Sequence, residues 1–267
     1  MSYKKTVRSC LEKYSAQFFE AFARAEASPD KKNIHDLRTS VKKLRAFYRI
    51  NEYCGKGFDE ERTYAPLRPL FKKAGIIREA EINKSQLSHW KPDKKLQEQI
   101  AHSLEAEKEK AEKEFSALLE RTDREKLFRH LINAVEHGNK AKIKKIKKTG
   151  KKFIDREFKK IKKDISLAAT DPLTLHHLRK HLKIAGYILN AGLVPAKSKA
   201  LADLKNIQKE AGLLHDRHRM ELFLKRFAKK KGHNKDISQL LFAIEKQNKK
   251  NAPALLKQVK ETVKQFT

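Results

Sequence analysis

Residues 34–50 read IHDLRTSVKKLRAFYRI. Ile34, Leu37, Val41, Leu44 and Tyr48 recur at steps of three and four, which puts them on one side of an α-helix. One residue behind them, His35, Arg38, Lys42, Arg45 and Arg49 keep the same spacing. The helix thus carries a narrow basic seam beside its apolar seam, about 100° around the axis. An ordinary surface helix mixes charge signs and keeps them mainly opposite the core. A row of cations at the border of the core asks for an anionic counterpart.

The composition points the same way. Lys and Arg number 63 against 33 Asp and Glu, a formal charge of +30. Excess charge on this scale repels itself and favours polyanionic partners. Hydrophobic residues make up 39% of the 267. A chain of this length buries roughly 70 to 75% of its unfolded surface. No apolar run approaches 18 residues, so no membrane span or membrane partner is expected. MSYKKTVRSCLEKYSAQFFEAF has no signal-peptide core, and Cys10 and Cys54 are isolated. Both observations predict a cytoplasmic protein without a disulfide framework.

Helical periodicity continues through nearly the whole chain, and no segment alternates as a strand does. Residues 3–27 are amphipathic, and Ser28-Pro29-Asp30 ends one helix and starts the next. Two shorter helices are expected at 59–76 and 77–89, around Ala74-Gly75. Others follow at 94–120, at 123–136 and from Lys140 to Ala168, the last with Ile143, Ile146, Phe153, Phe158 and Ile161 as its apolar seam and Gly150 as its weak point. Asp171-Pro172 opens a helix to about Asn190. Three or four more are punctuated by Gly192–Pro195, Gly212, Gly232–Asn234 and Pro253.

Two motifs occur twice. His176-His177-Leu178-Arg179 answers His35-Asp36-Leu37-Arg38, and Lys183 answers Lys42. Ala211-Gly212-Leu213-Leu214-His215-Asp216 answers Ala74-Gly75-Ile76-Ile77-Arg78-Glu79. The offsets are 141 and 137 residues, so the registers nearly agree. The reading is one domain over 1–267, built as two related helical halves of about 1–137 and 138–267.

This doubled His-x-x-Arg-x-x-x-Lys seam, with its doubled Ala-Gly-apolar-apolar corner, resembles the CHAD family, the conserved-histidine α-helical domain. The resemblance extends over essentially the whole chain. It implies an all-α fold of two four-helix-bundle-like halves related by a pseudo-twofold axis. It also implies a basic central cavity that binds inorganic polyphosphate. The family's seam maps onto His35, Arg38, Lys42, Lys43 and Arg45 in the first half, and onto His176, Arg179 and Lys183 in the second. Arg49 extends the first seam, and Lys180 adjoins the second. Arg78 has two readings, a phosphate contact or a partner of Glu79 or Glu81, and is counted with the candidates. Departures from the pattern are Ile184 where Lys43 would recur and Gly186 where Arg45 would. The family's Arg-Asp-x-Asp after the corner reads Arg78-Glu79-Ala80-Glu81 in the first half and His215-Asp216-Arg217-His218 in the second. His215, Arg217 and His218 are read as scaffold and rim.

Arg presents a planar fork of donors and Lys a compact charge, both suited to phosphate oxygens. A nearby polyanion favours the protonated form of histidine. His177 and His181 sit one turn apart, but HLRKH lacks the Glu of HExxH and no third ligand is apparent, so no metal or cofactor is expected. The run from Lys144 to Lys163 reads first as a solvated face. Its functional version has Lys148, Lys152, Arg156, Lys159 and Lys163 extending the anion-binding wall. No phosphate loop, GxSxG or ExExK pattern is present. The expectation is therefore a non-catalytic binding module, and the resemblance implies that it binds polyphosphate, in association with polyphosphate granules. A basic helical protein that binds nucleic acid through an outer face is the alternative, and a polyphosphate hydrolase is the weaker one.

Overall fold

The computed structural model describes residues 7–54, 58–137, 143–165, 167, 168, 171–232 and 235–266, without the side chains of 143–147 and 172. Lys144 and the seam positions Ile143 and Ile146 therefore have no described side chain. The expected join between the halves, after residue 137, lies outside the described residues.

The fold is all-α. Among the described residues, the helices are α1 (Val7–Ala27), α2 (Lys31–Cys54), α3 (Glu60–Tyr64), α4 (Arg68–Trp90), α5 (Lys94–Glu120), α6 (Arg124–Glu136), α7 (Ile143–Asp164), α8 (Pro172–Asn190), α9 (Ser198–Lys231) and α10 (Lys235–Lys264). A 3-10 turn, Ala65–Leu67, joins α3 to α4. Aspartates open many of these helices by accepting from amides of the first turn, which otherwise lack partners. Asp30 caps α2, Asp93 α5, Asp123 α6 and Asp171 α8. Gly192 (φ 73°) and Gly232 (φ 91°) follow α8 and α9 in the left-handed region that ends a helix.

The glycine corners do not divide helices as the sequence predicts. α4 runs unbroken through Gly75 and α9 through Gly212. The break expected near residue 75 falls instead at Ala65–Leu67, where Pro66 stands in the 3-10 turn. Pro253 lies inside α10 rather than at an end. Buried side chains on both sides of it, among them Ile244, Asn248, Leu255 and Val259, hold that helix to the core and override the local defect.

The chain divides into two compact units. One comprises residues 1–78, 110–156 and 184–197, the other 79–109, 157–183 and 198–267. In the first unit α1 and α2 run antiparallel: Arg24 meets Asp36 at 3.4 Å and Lys43 meets Gln17 at 3.4 Å. Tyr14 stacks on Phe47 at 4.9 Å over a core of Phe18, Leu37, Val41 and Leu44, and α6 packs on α1. The second unit has its own core, in which Leu96, Ile100 and Leu104 of α5 meet Phe223, Leu224 and Phe227 of α9 and Ile237 and Ile244 of α10. Phe158 and Phe266 stack at 5.0 Å in the same unit.

Pro253→Ala restores an amide donor and removes a ring clash in an exposed helix interior, against a modest gain in unfolded-chain entropy. The expected result is a gain of about 2 kcal/mol in urea denaturation.

Candidate functional site

In the first unit the seam of α2 lies against α4 through one arginine. Arg38 Nη1 donates to the carbonyl of Phe71, and the guanidinium stacks 4.1 Å from the Phe71 ring centroid. A Cβ at residue 75 would stand 2.7 Å from Arg38 Nη1. Glycine at 75 is therefore a notch in the surface of α4 that receives the arginine, rather than a helix break. Ala74 and Ile77 on either side are fully buried, whereas Ile76 is 45% exposed, so only the second apolar residue of the corner enters the core. Lys42 lies one turn beyond Arg38, with its ammonium 5.8 Å from the same Phe71 ring. His35 is exposed one turn before it.

The rest of the first seam is committed to carboxylates. Arg45 Nε donates to Glu60 at 2.5 Å, and Arg45 Nη2 donates to Glu61 at 2.7 Å. Arg49 lies 3.5 Å from Glu60, and Arg68 pairs with Glu61. Arg45 also stacks 4.1 Å from the Tyr64 ring. Arg45 and Arg49 thus clamp α3, whose Glu60 is buried. Lys43 leaves the seam for α1, where its ammonium lies 5.1 Å from the Tyr14 ring. Burial, then the charge of Lys13, lowers its pKa. Arg78 is half-buried. The acids that follow it are turned to other cations, Glu79 to Arg219 and Arg226 and Glu81 to Lys108.

In the second unit Arg179 lies against Gly212, with Nε 3.9 Å from where a Cβ would be. The same two residue types meet as in the first unit, at ordinary contact distance. His176 of α8 faces His215 of α9, with ring centroids 4.9 Å apart and planes tilted by 35°. Burial, then the charges of Arg179, Lys180, His177 and Arg219, push the pKa of His176 down to about 4. Burial, then Arg179, His176, Arg219 and His218, push that of His215 down to about 3. Two imidazoles are thus held neutral, first by burial and then by the cations around them. The Nδ1 of His176 is buried without a hydrogen-bond partner among the described residues. Lys180 is exposed, and Lys183 half-buried one turn beyond Arg179.

The site in this unit is thus His176, Arg179, Lys180, His215 and Arg219. Sequence reading took His215 as scaffold and rim and missed Arg219. Their signal was the corner that answers Arg78 and the step of four that places Arg219 one turn beyond His215. His181 is not part of it, because its Nδ1 meets buried Glu157 at 2.6 Å. Burial alone raises the Glu157 carboxyl, but His181 and Lys160 together carry its pKa below the ordinary value. Among the described residues no three His, Cys, Asp or Glu side chains are grouped to hold a metal. No helix among them is long and apolar enough to cross a membrane. The lysines at 148, 151, 152, 159, 160, 162 and 163 of α7 are exposed.

Residues 5–225 match the family model of the CHAD domain, and the chain belongs to that family. The structure is similar to the crystal structure of the CHAD domain from the plant Ricinus communis, with a TM-score of 0.71 at 14% identity, covering 96% of this chain and 89% of that one. Comparison with curated proteins finds no match.

The two glycines carry a paired prediction. Gly212→Ala gains about 1 kcal/mol of helix propensity, with only ordinary contact to Arg179. Gly75→Ala makes the same gain but displaces Arg38 from the Phe71 carbonyl, a charged hydrogen bond of about 1.5–3 kcal/mol. Urea denaturation should find Gly212→Ala more stable than Gly75→Ala by about 2 kcal/mol.

The histidines set an acid dependence. Their folded pKa values lie below the ordinary 6.5, so the unfolded chain takes up protons first as pH falls. Their contribution is complete above pH 6.5 and is lost as pH falls from there toward 4. The ligand-free protein should lose on the order of 2 kcal/mol between pH 7 and pH 5 in urea denaturation, and His215→Gln should flatten the decline.

Proposed function

We propose that the chain binds inorganic polyphosphate along the seam of α2 and along the α8–α9 seam, and does not hydrolyse it. The observation that carries this reading is the cluster of Arg179, Lys180 and Arg219 around His176 and His215, whose rings lie 4.9 Å apart and are kept uncharged first by burial and then by neighbouring cations. Cations gathered in a partly desolvated place attract a dense, flexible anion. In the other unit His35, Arg38 and Lys42 succeed one another at about one helical turn, a spacing that lets successive phosphates each meet a cation. The arginine forks suit bidentate contact with phosphate oxygens. The resemblance to the CHAD family, which implies polyphosphate, agrees with this reading.

The acids support a binding role over a catalytic one. Glu60, Glu61, Glu79, Glu81 and Glu157 are all engaged by cations, rather than grouped for two-metal phosphoryl chemistry. A cytoplasmic location, with polyphosphate granules, belongs to the same proposal. The exposed lysines of α7 favour a second reading, in which nucleic-acid phosphates are held by charge alone.

Competition between polyphosphate and duplex DNA or RNA at matched phosphate concentration, over several salt levels, separates the two. Polyphosphate should win at physiological salt, with both affinities falling as salt rises. Equal or tighter nucleic-acid binding overturns the proposal. Arg38→Glu and Arg179→Glu should each weaken polyphosphate binding at least tenfold while remaining folded. Charge reversal at exposed Lys113 or Lys257 should change it less than twofold. Lys108 is unsuitable as such a control, because it bridges Glu81 at 3.0 Å and Glu105 at 3.4 Å. Incubation of long-chain polyphosphate with the protein and Mg²⁺, Mn²⁺ or Zn²⁺ should release no phosphate.

A further inference from the structure

The position that answers Arg78 in the doubled corner is His215, so a side chain that is always charged in one place is titratable in the other. His215 does not stand alone. Its ring lies 4.9 Å from that of His176, and the pair joins α8 to α9. From α8 the charged and titratable groups acting on the pair are His177, Arg179 and Lys180. From α9 they are His218 and Arg219. Glu79 of α4 pairs with Arg219, and Glu221 lies 3.4 Å from His218. The surroundings are thus predominantly cationic. The Nδ1 of His176 is a buried ring nitrogen with no hydrogen-bond partner among the described residues.

From this geometry we infer that the His176–His215 pair is a proton-coupled phosphate site: the rings are neutral when it is empty and take up protons when a phosphate chain enters. This rests on the polyphosphate reading and adds His215 and Arg219 to the residues that make contact. In the empty state burial opposes protonation of either ring, and a new cation would also join Arg179 and Arg219, with Lys180 beside His176. A phosphate chain reverses the sign of the local field. Each imidazolium then becomes a charge-assisted donor to a phosphate oxygen, and the proton comes from solvent. Because the bound state holds more protons than the free state, affinity must rise as pH falls. The device makes retention of the polymer sensitive to acidification in the range where histidine ordinarily titrates. An arginine at 215 would bind without it.

The test is calorimetry of the full chain with long-chain polyphosphate, whose internal phosphates do not titrate near neutrality. It is run at pH 7 in two buffers of different ionisation enthalpy, and the affinity is also followed from pH 8 to pH 6. The wild-type protein should show a buffer-dependent heat that reports net proton uptake, and affinity should rise at least tenfold over that range. His215→Arg should bind at pH 8 about as tightly as the wild type does at pH 6, with at most half the proton uptake. His176→Asn should also halve the uptake. The wild-type measurement stands even where a variant fails to fold. Tight binding without proton uptake overturns the inference and leaves the polyphosphate reading intact. Uptake undiminished in both folded variants overturns the assignment to this pair. Absence of polyphosphate binding removes both the reading and the inference.

Discussion

An arginine laid on the bare backbone of a helical glycine is the contact on which the basic seam of α2 depends. Arg38 is fixed from three sides, by the Phe71 carbonyl, by the Phe71 ring and by the surface of α4 at Gly75. A guanidinium held in this way loses little further freedom when it binds an anion, because its ordering has already occurred on folding. The placement also explains why cations border the core. The arginine spans from α2 to a residue of α4 with no side chain, and the notch there admits a flat, partly apolar group whose edge still carries donors. Arg179 against Gly212 repeats the pairing of residue types at a looser 3.9 Å.

A chain with a net charge of +30 needs its acids where like charges would otherwise crowd. Glu60 and Glu61 offset Arg45, Arg49 and Arg68, while Glu79 offsets Arg219 and Arg226. Removing Arg45 leaves the buried carboxylate of Glu60 short of compensation, a larger cost than the pair itself is worth. These arginines are therefore structural first, whatever anion lies nearby. In the α8–α9 cluster the offset takes another form. Two histidines stay neutral where two more cations would have cost stability.

The all-α class was legible because helical periodicity runs through nearly the whole chain, and the family was legible because two motifs occur twice in order. The partnership of those motifs was not legible. Arg38 and Gly75 were read separately, as a seam residue and a helix break, because a one-dimensional pattern cannot show that one fills the notch left by the other. Gly212 and Pro253 were misplaced as boundaries for a related reason. Burial on both sides of each outweighs a local defect worth one or a few kcal/mol. The commitment of Arg45 to α3 was hidden because Glu60 lies 15 residues away across a turn. His215 was read as scaffold and rim, and Arg219 was passed over, because both join the site only where α9 faces α8.

The central claim is that a phosphate chain lies on the arginines seated against glycines, not on the outer lysines. A crystal structure of the full chain with polyphosphate tests it most directly. The account predicts phosphate density in hydrogen-bonding contact with Arg38 and Lys42, and with Arg179, His176, His215 and Arg219. Density confined to the exposed lysines of α7, with both arginines facing solvent alone, would contradict it.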